Sequence, residues 1–154
     1  MPDAPCAHPP REALEHTDEN RLSPLVARMR ALLVADRGFT IDLVWARPVH
    51  AGLAVCAEPS RSLRFPFDRW SDRVVSDWLS DITAHVRRSG SRGSYLGGWR
   101  PSGSGQVYLD LVRVVPTEAR QCAEQLGRAY RQRAMFDLDR RTLVPLRPPA
   151  VAAT

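Results

Sequence analysis

Lysine is absent from this chain. All 22 basic residues are arginines, and against 17 acidic residues they leave a net charge of +5. The arginine guanidinium suits bidentate phosphate recognition, so an all-arginine chain is equipped to meet nucleic acid. A GC-rich genome also writes Arg, Ala, Pro and Gly freely, so charge alone bears on partners and not on fold.

Cysteine is scarce. Cys6, Cys56 and Cys122 are odd in number and far apart, with no CxxC pair, which excludes a zinc spacing and a disulfide framework. His8, His16, His50 and His85 are equally scattered, so no cofactor or His/Cys metal site is expected. His50 reads as an exposed loop residue, because no motif places a nucleophile beside it. There is no apolar run of the ~20 residues needed to span a bilayer. The opening MPDAPCAHPPREALEH has no apolar h-region, so no secretory signal is visible and a cytoplasmic address is expected. Walker and GxGxxG patterns are missing too, and Gly97-Gly98 reads instead as a bulge or a close backbone approach.

What is present is ordinary globular composition: 44% apolar and 25% charged residues in 154, enough for one domain with its own core. Residues 1–20 are rich in Pro, Ala and charge without sustained period and read as a disordered arm. Residues 21–146 read as a single domain, and 147–154 as a flexible tail.

Within the domain, Ser23-Pro24 predicts a helix start, followed by Leu25, Val26, Met29, Leu32 and Leu33 at helical spacing up to Gly38. Phe39 to Trp45 alternates as a half-buried strand. Leu53 to Glu58 and Ser62 to Phe67 follow, with Pro59-Ser60-Arg61 as a tight turn between them, so the three strands predict a β-meander whose last member lies at an edge because of Pro66. Ser71 predicts the cap of a second helix with the stripe Val74, Val75, Trp78, Leu79, Ile82 and Val86. A strand from Tyr95 to Trp99, a PSGSG loop and a strand from Gln106 to Val115 make a hairpin. Thr117 predicts the cap of a third helix with Ala119, Cys122, Ala123, Leu126 and Tyr130 inward. A last strand spans Ala134 to Leu138, parallel to the Gln106 strand if adjacent to it. The fold class is α+β: order α-β-β-β-α-β-β-α-β, a mixed, mostly antiparallel sheet, and helices largely on one face.

Two constellations could carry function. Asp110 alternates against Val107, Leu109 and Leu111, and Asp137 stands in AMFD. If the third helix covers the other side of both strands, the two carboxylates project together, an arrangement that suits Mg²⁺ in metal-dependent nucleases. The simpler reading is a polar strand face, with Asp110 paired to Arg100 or Arg113. The second constellation is Arg87, Arg88, Arg92 and Arg100 with Trp99 and Tyr108, residue types that bind single-stranded nucleic acid by phosphate contact and base stacking.

The run Leu96-Gly97-Gly98-Trp99, then Gly105-x-Val107-Tyr108-Leu109-Asp110-Leu111, Val114-Val115-Pro116, a helix with Ala123-x-x-Leu126-Gly127-Arg128, and Ala134-Met135-Phe136-Asp137-Leu138 resembles a group of small proteins and protein segments from actinobacteria and their phages. The resemblance covers about two thirds of the chain, with Leu111-Val112-Arg113 where the group tends to have Val-Ser and Gln106 where Lys is common. It implies an actinobacterial or mobile-element origin, phage included, and the same α+β layout, and carries over no catalytic residue. The expected function is a small soluble binding or interaction domain that most simply meets another protein and no membrane. The alternative is a nucleic-acid-binding or metal-dependent nucleic-acid-processing protein.

Overall fold

The computed structural model describes residues 22–36, 38–43, 46–89 and 94–146. The N-terminal arm, Trp45, Arg92 and the tail from 147 lie outside the described residues.

The chain runs α1 (Leu22–Asp36), β1 (Gly38–Asp42), β2 (Leu53–Cys56), β3 (Leu63–Pro66), α2 (Asp72–Ser89), β4 (Ser94–Trp99), β5 (Gln106–Val115), α3 (Arg120–Ala129), β6 (Ala134–Asp137) and β7 (Thr142–Pro145). This is the expected α+β order, with β7 added as a hairpin partner of β6. Helix α2 starts as its sequence predicts: the Ser71 hydroxyl accepts from the Val74 amide at 3.3 Å, satisfying one of the orphan donors of the first turn. Thr117 behaves otherwise. A short 3-10 turn fills 117–119, and its hydroxyl donates to Asp139 at 3.0 Å instead of capping α3.

One seven-stranded antiparallel sheet holds the domain, in the order β1-β4-β5-β2-β6-β7 with β3 also beside β5. The expected meander does not form. β1 pairs with β4, while β2 and β3 both pair with β5. Cys56 stands opposite Val112 and Leu63 opposite Leu109, so the two segments follow one another along the same edge of β5 in the same direction. The Pro59–Arg61 turn between them is therefore a bulge and not a hairpin. Glu58 enters it in the left-handed region (φ 55°, ψ 68°), and a 3-10 turn absorbs the extra residues. β5 and β6 run in parallel directions, but β2 lies between them and pairs antiparallel to both.

All three helices pack on one face. Leu25, Val26, Met29 and Leu33 of α1 and Val75, Leu79, Ile82 and Val86 of α2 meet Leu96, Val107, Leu109 and Leu111. At the other end, Ala123 of α3 meets Leu53, Val55, Val115, Met135 and Leu146. Pairs at 3.6-residue spacing in the helices and alternate positions in the strands account for this core. Gly127 of α3 faces Leu146, and a side chain at 127 would run into it.

Candidate binding face

The strand registers lay out the opposite face as rows across the sheet. Gly38, Trp99, Tyr108 and Arg64 stand side by side on β1, β4, β5 and β3. Thr40, Gly97 and Asp110 form the next row, and Asp42, Tyr95, Val112 and Cys56 the one after it. Farther along, Val114, Ala54, Phe136 and Leu143 continue onto β6 and β7. Among the described residues, no helix packs on this side.

The face is nevertheless not flat. Trp99 and Phe136 lie three strands and six residues apart, about 25 Å between Cα positions in a flat sheet with ~4.8 Å between strands and ~3.4 Å per residue. Their ring centroids are 6.0 Å apart. The sheet therefore coils strongly across this face, as twisted antiparallel sheets can. Curvature fits the burial: Val112 and Ala54 are only 6% and 7% exposed although they point away from the helices. Gly97 leaves room for it, since a Cβ there would stand 2.9 Å from Val112 Cγ1.

Asp110 sits inside the curve. Its Oδ1 accepts a 2.5 Å hydrogen bond from Ser62 Oγ, and Cys56 Sγ lies 3.9 Å from the same hydroxyl. Burial raises the Asp110 pKa above its usual value, and hydrogen bonds from Ser62 and then Cys56 oppose the rise. Burial, then the Asp110 charge, pushes the Cys56 thiol up to about 12. A thiol at that value is protonated at neutral pH and is not an activated nucleophile. Tyr95, next to Asp42 on the rim, is also raised, by burial and then by that carboxylate.

Asp137 does not join Asp110. It stands opposite Leu53, which stands opposite Val115, so its side chain is on the α3 side of the sheet. There its Oδ1 accepts from the Arg140 amide at 3.0 Å and closes the β6–β7 turn. The expected convergence fails because β6 is turned over: Met135 faces α3 and Phe136 the curved face, and a four-residue strand with apolar side chains on both sides did not reveal which way it faces. Among the described residues, no three His, Cys, Asp or Glu side chains are grouped to hold a metal ion.

The arginine constellation also divides. Arg87 and Arg88 lie in the last turn of α2, whereas Trp99 and Arg100 lie at the far end of β4, about 17 Å from that strand's start at ~3.4 Å per residue. At that far end Arg100 lies over the Phe67 ring, 4.7 Å from its centroid, and Arg64 over the Tyr108 ring at 4.9 Å. His50 is exposed.

Sequence reading missed Ser62, Arg64, Phe136 and the pair His85–Glu58, joined Nε2 to Oε2 at 2.5 Å. The first two depend on the bulge, which brings β3 alongside Asp110 and Tyr108; Trp78 steadies it by donating from Nε1 to the Arg61 carbonyl at 2.7 Å. A tight turn and a bulge share Pro-Ser residues, so no local signal separates them. Compared with protein-family models, curated proteins and solved structures, the chain matches none.

Proposed function

We propose that the protein is a binding domain and that the curved, helix-free face of its sheet is the side that meets a partner. The observation that carries this reading is the Trp99–Phe136 contact: it draws the two ends of the face together and leaves apolar surface at its rim, with Trp99 38% and Leu143 60% exposed. Exposed apolar side chains grouped on one surface mark interaction sites. A catalytic role has less support, since Asp110 is held by Ser62, Cys56 is a protonated thiol and Asp137 closes a turn. No described helix is long and apolar enough to cross a membrane. The Cys56 thiol, protonated and outside any disulfide, fits a reducing, cytoplasmic setting. An accessory or host-interaction role of phage or mobile-element origin fits the resemblance of the C-terminal half.

The test uses the apolar fluorophore 1-anilinonaphthalene-8-sulfonate on the folded protein. Its emission should rise on binding and fall in Trp99→Ser and Leu143→Ser, but stay unchanged in Val34→Ser, whose residue is 58% exposed on α1. No emission change, or equal loss in all three variants, would reject the face as the binding surface.

A further inference from the structure

We infer that the partner is engaged at the β7 edge, where an extended, acidic segment of another protein adds to the sheet as a further strand. This names the kind of partner for the binding-domain reading and rests on it.

Of the two ends of the sheet order, only one is open. The β1 edge is covered by the chain that follows it: Val49 donates to the Thr40 carbonyl at 2.7 Å, and Asp42 to the Arg47 carbonyl at 3.0 Å. β7 pairs with β6 alone. The Leu146 amide donates to the Arg133 carbonyl at 2.8 Å, and Leu143 and Pro145 stand opposite Phe136 and Ala134. Hydrogen bonding alternates along an antiparallel ladder, so Thr142 and Val144 point their amide groups at β6. Leu143 therefore turns its N–H and C=O outward, and Pro145 its C=O. Pro145 offers no donor, which limits pairing to a short segment centred on Leu143. β7 itself carries no charge, the usual guard of an exposed edge, and Leu143 is 60% exposed on it.

Charge selects the occupant. Arg131 and Arg133 precede β6 at one end of this hairpin, and Arg140 and Arg141 lie in the turn at the other; all four are exposed. Arg131, Arg133 and Arg141 make no ion pair with a described carboxylate, and Arg140 comes only to 4.0 Å from Asp137. The two aspartates of the hairpin are engaged elsewhere: Asp137 accepts from the Arg140 amide, and Asp139 from Gly52 and Thr117. A second copy paired antiparallel about Leu143 would set the Arg140–Arg141 end of one chain against the Arg131–Arg133 end of the other, which repels. An extended segment with acidic ends and an apolar residue beside Leu143 meets both the edge amides and the arginines. Strand addition of this kind draws affinity from the main chain and specificity from alternate side chains.

The experiment uses the full chain and a labelled peptide, acetyl-Glu-Glu-Thr-Val-Thr-Glu-Glu-amide, in fluorescence anisotropy at about 50 mM salt, where exposed charge pairs are least screened. The same peptide with lysine for glutamate should bind far more weakly. N-methylation of the central valine, which blocks the amide facing Leu143, should weaken binding about fivefold. Arg133→Gln with Arg141→Gln should do so by about fivefold as well. By NMR hydrogen exchange, saturating peptide should slow the Leu143 amide and leave the Val144 amide, already bonded to β6, unchanged. Leu143→Pro should abolish binding, with circular dichroism confirming its fold. No binding of the acidic peptide, equal binding of the lysine or N-methyl peptide, or an unprotected Leu143 amide overturns the inference. Self-association lost in Leu143→Pro would also overturn it, by giving the edge to a second copy. Should the peptide fail while the anilinonaphthalene probe still depends on Trp99 and Leu143, strand addition falls and the binding face stands.

Discussion

Trp99 and Phe136, on strands separated by two others, meet with their ring centroids 6.0 Å apart and their planes tilted by 46°. Their contact spans the curve of the sheet across β5 and β2. Aromatic pairs contribute about 0.5–1.5 kcal/mol beyond the area they bury. A double-mutant cycle with Trp99→Leu and Phe136→Leu should therefore return a coupling near 1 kcal/mol in urea denaturation. Additive single effects would mean that the sheet holds its curve without them.

Asp110 gives the protein a pH-dependent term of unusual sign. Its pKa is raised in the folded state, mainly by burial, above the ordinary 3.8. Between the unfolded and the folded value the native protein binds more protons, so this group makes stability fall as pH rises through that window. Asp110→Asn keeps an oxygen to accept from Ser62 and removes the charge. It should be more stable than the parent at pH 7, and this pH-dependent advantage should shrink as pH falls through the raised folded value and be gone below the ordinary 3.8.

Removing the donor instead should move Asp110 further in the same direction. Ser62→Ala takes away the 2.5 Å hydrogen bond that favours the carboxylate. A carbon-detected NMR titration should find the Asp110 pKa higher in the variant, and the lost bond to a charged acceptor should cost about 1.5–3 kcal/mol at neutral pH.

Asp139 should titrate the other way. Its Oδ2 accepts from the Gly52 amide and the Thr117 hydroxyl, both at 3.0 Å, and these bonds, the Gly52 one first, hold its pKa below 3.8. A depressed carboxylate contributes stability above its unfolded pKa and loses it as pH falls through the folded one. Thr117→Val should raise the Asp139 pKa toward its ordinary value in the same titration; an unchanged value would show that Gly52 suffices.

Gly127 and Leu146 should be strongly coupled. A methyl group at 127 collides with the Leu146 side chain, and overpacking of this kind costs about 1–3 kcal/mol. Gly127→Ala should therefore destabilise the parent by up to about 2 kcal/mol after the gain in helix propensity. In a Leu146→Ala background the same change should stabilise by roughly 1 kcal/mol, the propensity gain alone. Thermal melts of the four proteins would decide it.

The helices and the long strand were legible because their signals are periodic over many residues. Val75, Leu79, Ile82 and Val86 are buried as the stripe of α2 predicts, although Val74 in its first turn is exposed, and Val107, Leu109 and Leu111 are buried as the alternation of β5 predicts. Strand pairing was not legible. β2 and β3 are four residues each, too short for their pattern to name a neighbour, and Pro59 sits as well in a bulge as in a hairpin turn. The same shortness concealed the orientation of β6 and with it the separation of Asp110 from Asp137. On the candidate face, Trp99 and Tyr108 were visible as a sequence-near pair. Arg64 joins them only through the bulge, and Phe136 only through the coiling of the sheet.

That bulge also sets the order in which the chain can assemble. β1 has no partner before β4 exists, and neither β2 nor β3 has one before β5 exists. As the chain leaves the ribosome, the first three strands must wait for some fifty further residues, with only α1 and α2 able to coil locally in the meantime. Sheet formation is then a late, concerted event organised around one strand. A truncation before Gln106 leaves only the β1–β4 pair of this sheet, with β2 and β3 stripped of the strand they share.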